Sequence, residues 1–148
     1  MRVDLKGLCN ATVTRDEFMR SVEQYRLSAY VERWVVKTSL AALARGAVKA
    51  SPGRSLAIPL STQSLNEPSF LEFVVNCFDS AGVAPERICL EVTEGSAISL
   101  DPQGHRFISV LHGLGAQFML YVDASGGLTV FGMLKILPLD YIRVDGAV

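Results

Sequence analysis

The stretch Phe118–Gly146, FMLYVDASGGLTVFGMLKILPLDYIRVDG, decides how this chain is read. Its first residues are an apolar run of strand length, closed by a glycine turn at Gly126-Gly127. Thr129–Leu137 has the spacing of a short helix, stopped by Pro138, whose missing N–H cannot continue the hydrogen-bond ladder. Tyr141–Val144 is a second strand. Each strand runs out into a carboxylate, Asp123 after the first and Asp145 after the second. Carboxylates at strand ends are where sites form in α/β folds.

Upstream, the same alternation recurs. Thr14 and Glu17 form a Thr-x-x-Glu capping box that predicts a helix with Phe18, Val22 and Tyr25 on one face. A second helix is expected over about 29–45, with Val31, Trp34, Val35 and Ala42 inward and Gly46 at its end. SLAIPL (55–60) reads as a buried strand. Asn66 is the expected N-cap of a helix carrying Phe70, Phe73, Val74, Cys77, Phe78 and Ala81 to a stop at Gly82. ICLEV (88–92) is the next strand. Asp101-Pro102 opens a helix with Phe107, Val110, Leu111 and Leu114 inward, ending at Gly115. Strands alternating with helices imply a parallel sheet with right-handed crossovers, either open or an arc of a barrel.

At 148 residues the chain is one domain by length, 1–148, able to bury a sizeable core. Hydrophobic residues make up 49% and the net charge is −1, which gives no electrostatic grip for nucleic acid. No apolar run reaches the length of a membrane span, and MRVDLKG lacks the apolar core of a signal peptide. Cys9, Cys77 and Cys89 form no CxxC, and the expected setting is reducing and cytoplasmic.

The polar residues at strand ends are Ser61, Glu91 with Glu94, Asp123, and Arg143 with Asp145. In a parallel sheet they converge on one rim. Several carboxylates there suit a hard cation such as Mg²⁺ or Mn²⁺ and hence phosphate chemistry. Equally, they could cap the helices that follow or pair with Arg143. His105 and His112 are too far apart on one helix to share a metal. Ser125-Gly126-Gly127 lacks the spacing of a P-loop and reads as a turn. Trp34 falls at helical spacing with Val31 and Val35, a core position rather than a base-stacking platform. Arg45, Lys49 and Arg54 form a mild basic cluster expected to be solvated.

Four segments, in order, resemble one family. ICLEVTE is similar to the Glu-(Leu/Ile)-Thr-Glu strand of the bacterial EAL domains, the cyclic di-GMP phosphodiesterases. LKILPLDYIRVDG resembles that family's Leu-Lys-x-Leu-Pro-x-Asp-x-Leu-Lys-Ile-Asp-Gly. SLAIPLSTQSLNEPSF resembles its Val-Asn-Leu-Ser segment, and DEFMRSVEQYRLSAYVERWVV its Glu-Phe-Ile…Trp-Val segment. The resemblance implies a partial TIM-like (β/α) barrel of the EAL type, parallel strands with covering helices. Full barrels of this kind run to roughly 250 residues. The chain is therefore expected to lack the signature strand and the C-terminal strands.

The resemblance also implies altered ligands. The family's metal-binding asparagine falls on Pro59, and its lysine on Arg143, which keeps the charge but not the titration. Its paired aspartates fall on Val122 and Asp123 counting back from Lys135, or on Tyr121 and Val122 counting forward from Gly115. Glu91, Glu94 and Asp145 are retained. Glu91, Asp123 and Asp145 stand as weak metal-ligand candidates, and Arg2, Glu91 and Arg143 as candidate contacts to cyclic di-GMP. No cofactor is expected, with Mg²⁺ or Mn²⁺ the metal if any of the site survives. The expectation is a degenerate, non-catalytic domain of cyclic di-GMP signalling, acting through a protein partner, self-association or ligand sensing. The alternative is an active phosphodiesterase using two divalent metals.

Overall fold

The computed structural model describes residues 15–46, 55–123 and 130–145. In chain order the elements are α1 (Arg15–Gln24), α2 (Ser28–Ala44), β1 (Leu56–Leu60), α3 (Thr62–Asn66), α4 (Pro68–Ala81), β2 (Ile88–Thr93), α5 (Glu94–Ile98), α6 (Pro102–Leu114), β3 (Gln117–Val122), α7 (Val130–Ile136) and β4 (Tyr141–Val144). Neighbours pair in sequence order, β1-β2-β3-β4, and every pairing is parallel. The four expected strands are all present. Thr14, the glycine turn at 126–127, Cys9, Lys49, Arg54 and Arg2 lie outside the described residues.

Register sorts the side chains into rows. On the helix side, Leu60, Val92, Leu120 and Ile142 form one row, beside a second made by Ile58, Leu90 and Phe118. Their apolar side chains are buried except at β4, and Phe70 of α4 stacks on Phe107 of α6 above them, centroids 5.6 Å apart. The opposite face carries Pro59, Glu91, Met119 and Tyr141 in one row and Thr93, Tyr121 and Arg143 in the next. The core cluster lies on the helix side; among the described residues of the strands' other face Cys89 is buried and the rest are half-buried or open. Among the described residues, helices cover one face of this parallel sheet; parallel sheets are normally covered on both.

Helix boundaries follow the sequence closely at the caps. Asp101 accepts the Gly104 N–H at 2.9 Å, with Pro102 at the first helical position. Gly82 and Gly115 end α4 and α6 in left-handed conformation, at φ 62° and 110°. A side chain at Gly115 would also collide with Glu86.

Some expectations need correction. Asn66 does not cap α4, because Pro68 starts that helix behind Glu67. Instead Asn66 closes α3 and ties it to the start of α6, donating to the Ser99 carbonyl and accepting from the Asp101 N–H. The short helices α3 and α5 were not expected, since one turn leaves no periodicity to read. Trp34 is not core: it is 53% exposed, and on α6 Val110 and Leu114 are exposed too, the buried apolar stripe running through Phe107, Ile108 and Leu111. The buried face of α2 runs through Ala29, Glu32, Val36, Leu40 and Leu43. This helix is apolar nearly all round, so spacing alone could not select which stripe faces inward.

Candidate functional site

The site is built on the open face and at the strand ends of β1–β4. Strand alternation places Glu91 and Arg143 on the same face, two strands apart. The Arg143 side chain reaches back across β3, its guanidinium carbon 5.8 Å from the Tyr121 ring centroid. Its Nη1 comes within 3.9 Å of Glu91 Oε2. Arg143 is 64% exposed at its side chain, so water screens the pair and it contributes about 0–1 kcal/mol.

Asp145 turns toward the same ring. The Tyr121 hydroxyl donates to Asp145 Oδ2 at 2.8 Å, while the Asp145 N–H donates to the Val122 carbonyl at 3.0 Å. The bond to Asp145 is the main reason the Tyr121 phenol is held above the usual tyrosine range. Asp123 is exposed at the end of β3 and adds a smaller push in the same direction. Glu91, Tyr121, Arg143 and Asp145 thus form one cross-strand network. Tyr121 was missed as a member because only the register reveals it beside Arg143.

The other rim residues are engaged in the fold. Ser61 is the N-cap of α3, its oxygen accepting the Ser64 N–H at 3.3 Å, and Thr93 caps α5 through the Ser96 N–H at 3.2 Å. Glu94 is the first residue of α5. Above the end of β1 stands a group that sequence reasoning passed over, Glu32 of α2. It is 8% exposed and accepts from the Ser61 N–H at 2.8 Å, from Ser61 Oγ at 3.1 Å, and from Ser64 Oγ. Burial pushes its carboxyl up to about 7, against the pull of the serine hydrogen bonds. An acid at an inward position of an apolar helix was the available signal.

The candidate metal ligands do not meet. Among the described residues no group of three His, Cys, Asp or Glu side chains is placed to hold a metal ion. Pro59 lies in register beside Glu91, with Met119 on its other side, so neither neighbour supplies an oxygen ligand. His112 faces Asp140, Nε2 to Oδ1 3.5 Å, on the helix side.

The family profile described as the EAL domain matches residues 4–148. The chain belongs to the EAL domain family. It is 25% identical over 138 residues to the cyclic di-GMP phosphodiesterase PdeB of Shewanella oneidensis, covering 93% of this chain and 16% of that protein. It is also 25% identical to the cyclic di-GMP phosphodiesterase PdeF of Escherichia coli, covering 97% of this chain and 19% of PdeF. Among solved structures, the FimX EAL domain of Pseudomonas aeruginosa bound to c-di-GMP superposes with a TM-score of 0.78 at 26% identity. That alignment covers 97% of this chain and 56% of the FimX chain, so the present EAL sequence spans a little over half of a solved domain. The fold is therefore the α/β architecture of the TIM-like EAL barrels, here with four parallel strands and their helices. No helix among the described residues is long and apolar enough to cross a membrane.

Proposed function

We propose that this chain is a degenerate EAL domain of cyclic di-GMP signalling that works without catalysis, by protein contact or by sensing the dinucleotide. One observation carries the reading: Pro59 stands beside Glu91 in register, and the sequence resemblance puts the family's metal-binding asparagine at Pro59. A two-metal mechanism demands several oxygen ligands around closely spaced cations. Here Glu91 leans toward Arg143, Asp145 accepts from Tyr121, and Asp123 is exposed to solvent. This donor set does not fit a two-metal centre.

The relatives support the signalling context. The FimX domain, at 26% identity, is a c-di-GMP-bound structure, which favours cyclic di-GMP as the ligand to try first. In this reading Arg143 offers a cation to a phosphate and Glu91 an acceptor on the same face, with Arg2 as a third contact. Among the described residues β1 and β4 are the outer strands of the sheet, and an outer strand can pair with a partner. β4 is suited to that role, with Tyr141, Ile142 and Val144 exposed to 47%, 41% and 63%.

Titration calorimetry with cyclic di-GMP, together with a turnover assay in Mg²⁺ or Mn²⁺, tests the reading. The expected result is no linear dinucleotide under either metal. Micromolar binding assigns the domain to ligand sensing, and its absence to protein contact alone. Linear dinucleotide formed at a rate above the metal-only control refutes the proposal.

A further inference from the structure

The outward face of α2 has no place in the rim chemistry. Tyr30, Trp34, Lys37, Ala41 and Arg45 recur at helical spacing and share one stripe. Tyr30 is 72% exposed and Trp34 53%. Farther along the same stripe, α2 and α4 part to leave a groove of about 560 Å³. Its lining includes Ala41, Ala44, Ala81 and Phe73, with Lys37 and Arg45 and no acid. Lys37 and Arg33 both act on the half-buried Cys77 thiol, each opposing the upward push of its burial. Their positive field therefore reaches into the groove.

Those features specify an occupant. Alanines let another helix backbone approach closely, and an amphipathic helix laid in a groove is a recurring mode of recognition. Lys37 and Arg45 are separated by about two helical turns, about 12 Å. Acidic side chains two turns apart on a docked helix would face both. Tryptophan, tyrosine and arginine are also the residue types that dominate binding energy at interfaces. We propose that the α2–α4 groove and the adjoining Tyr30–Trp34 stripe dock an acidic amphipathic helix of a partner protein.

This rests on the reading that the domain acts through protein contacts. The groove lies on the helix side of the sheet and the Glu91–Arg143 network on the other, so the two can fail separately. Trp34 is the single tryptophan and reports docking directly. The probe is a synthetic helix of about four turns with two glutamates two turns apart and leucine and alanine between them. A second peptide carries lysines in place of the glutamates.

The acidic peptide is expected to blue-shift Trp34 emission saturably, and the basic peptide to leave it unchanged. By anisotropy of a labelled acidic peptide, Trp34→Ala weakens binding about tenfold or more with an unchanged Tm. The double substitution Lys37→Glu, Arg45→Glu reverses the preference between peptides. Equal binding of both peptides, binding of neither, or indifference to Trp34→Ala overturns the proposal. So does a concentration-dependent dimer lost in Trp34→Ala, which would place a second copy there. An emission shift seen only with phosphatidylserine vesicles would assign the face to a membrane and overturn it equally.

Discussion

The two edges of the sheet are built differently. β1 lies under α2, and its inward residues Ile58 and Leu60 are 1% and 3% exposed. Its end is fastened by Glu32 through Ser61. β4 has the same backbone pairing to its one neighbour, yet all four of its residues are exposed. Leu60 and Ile142 even occupy the same row, at 3% and 41% exposure. Hydrogen bonding is thus common to both edges and burial is not. An outer strand is consolidated by the helix that covers it.

The most direct way to break the comparison is to truncate both ends of that row. Leu60→Ala is expected to cost about 2–5 kcal/mol, the transfer and cavity terms of a filled core site. Ile142→Ala, already in contact with water, is expected to cost about 1 kcal/mol or less. Urea denaturation of the two variants measures the difference, and equal losses would mean that β4 is packed as tightly as β1.

Glu32 gives the comparison a pH axis. Its carboxyl titrates at about 7 in the folded chain against an ordinary 4.5. A raised carboxylate pKa means that the folded state holds a proton which the unfolded chain releases earlier. The associated stability is therefore complete below about pH 4.5 and declines as pH rises toward 7, by on the order of 3 kcal/mol. Glu32→Gln should flatten that part of the stability–pH curve, as followed by urea midpoints across the range. A wild-type curve that rises over the same window would contradict the assignment.

The smallest expected effect is spectroscopic and lies beside β4. Tyr121 should deprotonate at higher pH than an ordinary tyrosine because Asp145 accepts its hydroxyl proton. Asp145→Asn should bring that titration down, read by absorbance of the phenolate, with little change in stability. An unchanged curve would mean that the bond is not kept in solution.

Much of this fold was legible from the chain. Glycine and proline punctuation gave the ends of α4, α6 and α7, and alternating apolar runs gave all four strands. The reason is local: caps, turns and strand runs depend on residues a few positions apart. What stayed hidden depends on tertiary placement. Trp34 and Val36 both lie on an apolar helix, and only packing against β1 and α4 decides that Val36 goes inward. Of the site residues, Glu91 lies within β2, Arg143 within β4 and Asp145 just past β4, the strands that the sequence pattern assigns them to. Their linkage through Tyr121 required the register of β3 with β4. Glu32 is distant in sequence from Ser61 and Ser64, and no spacing rule joins them. No carboxylate cluster gathers among the described residues, where Glu91 faces Arg143 and Asp145 accepts from Tyr121.

The Asp140 clasp has a consequence for how the chain breathes. Asp140 exchanges two hydrogen bonds with Phe118, backbone N–H to carbonyl at 2.9 Å and carboxylate to N–H at 2.9 Å. The Asp145 N–H is bonded to Val122 at the far end. β4 is thus pinned at both ends to a buried strand, while its other flank has no strand partner among the described residues. In deuterated water its amides should divide by direction: those aimed at β3 exchange slowly, and alternate ones aimed outward exchange within the earliest time points. The last strand would then keep two clocks, one set by the core and one by the solvent.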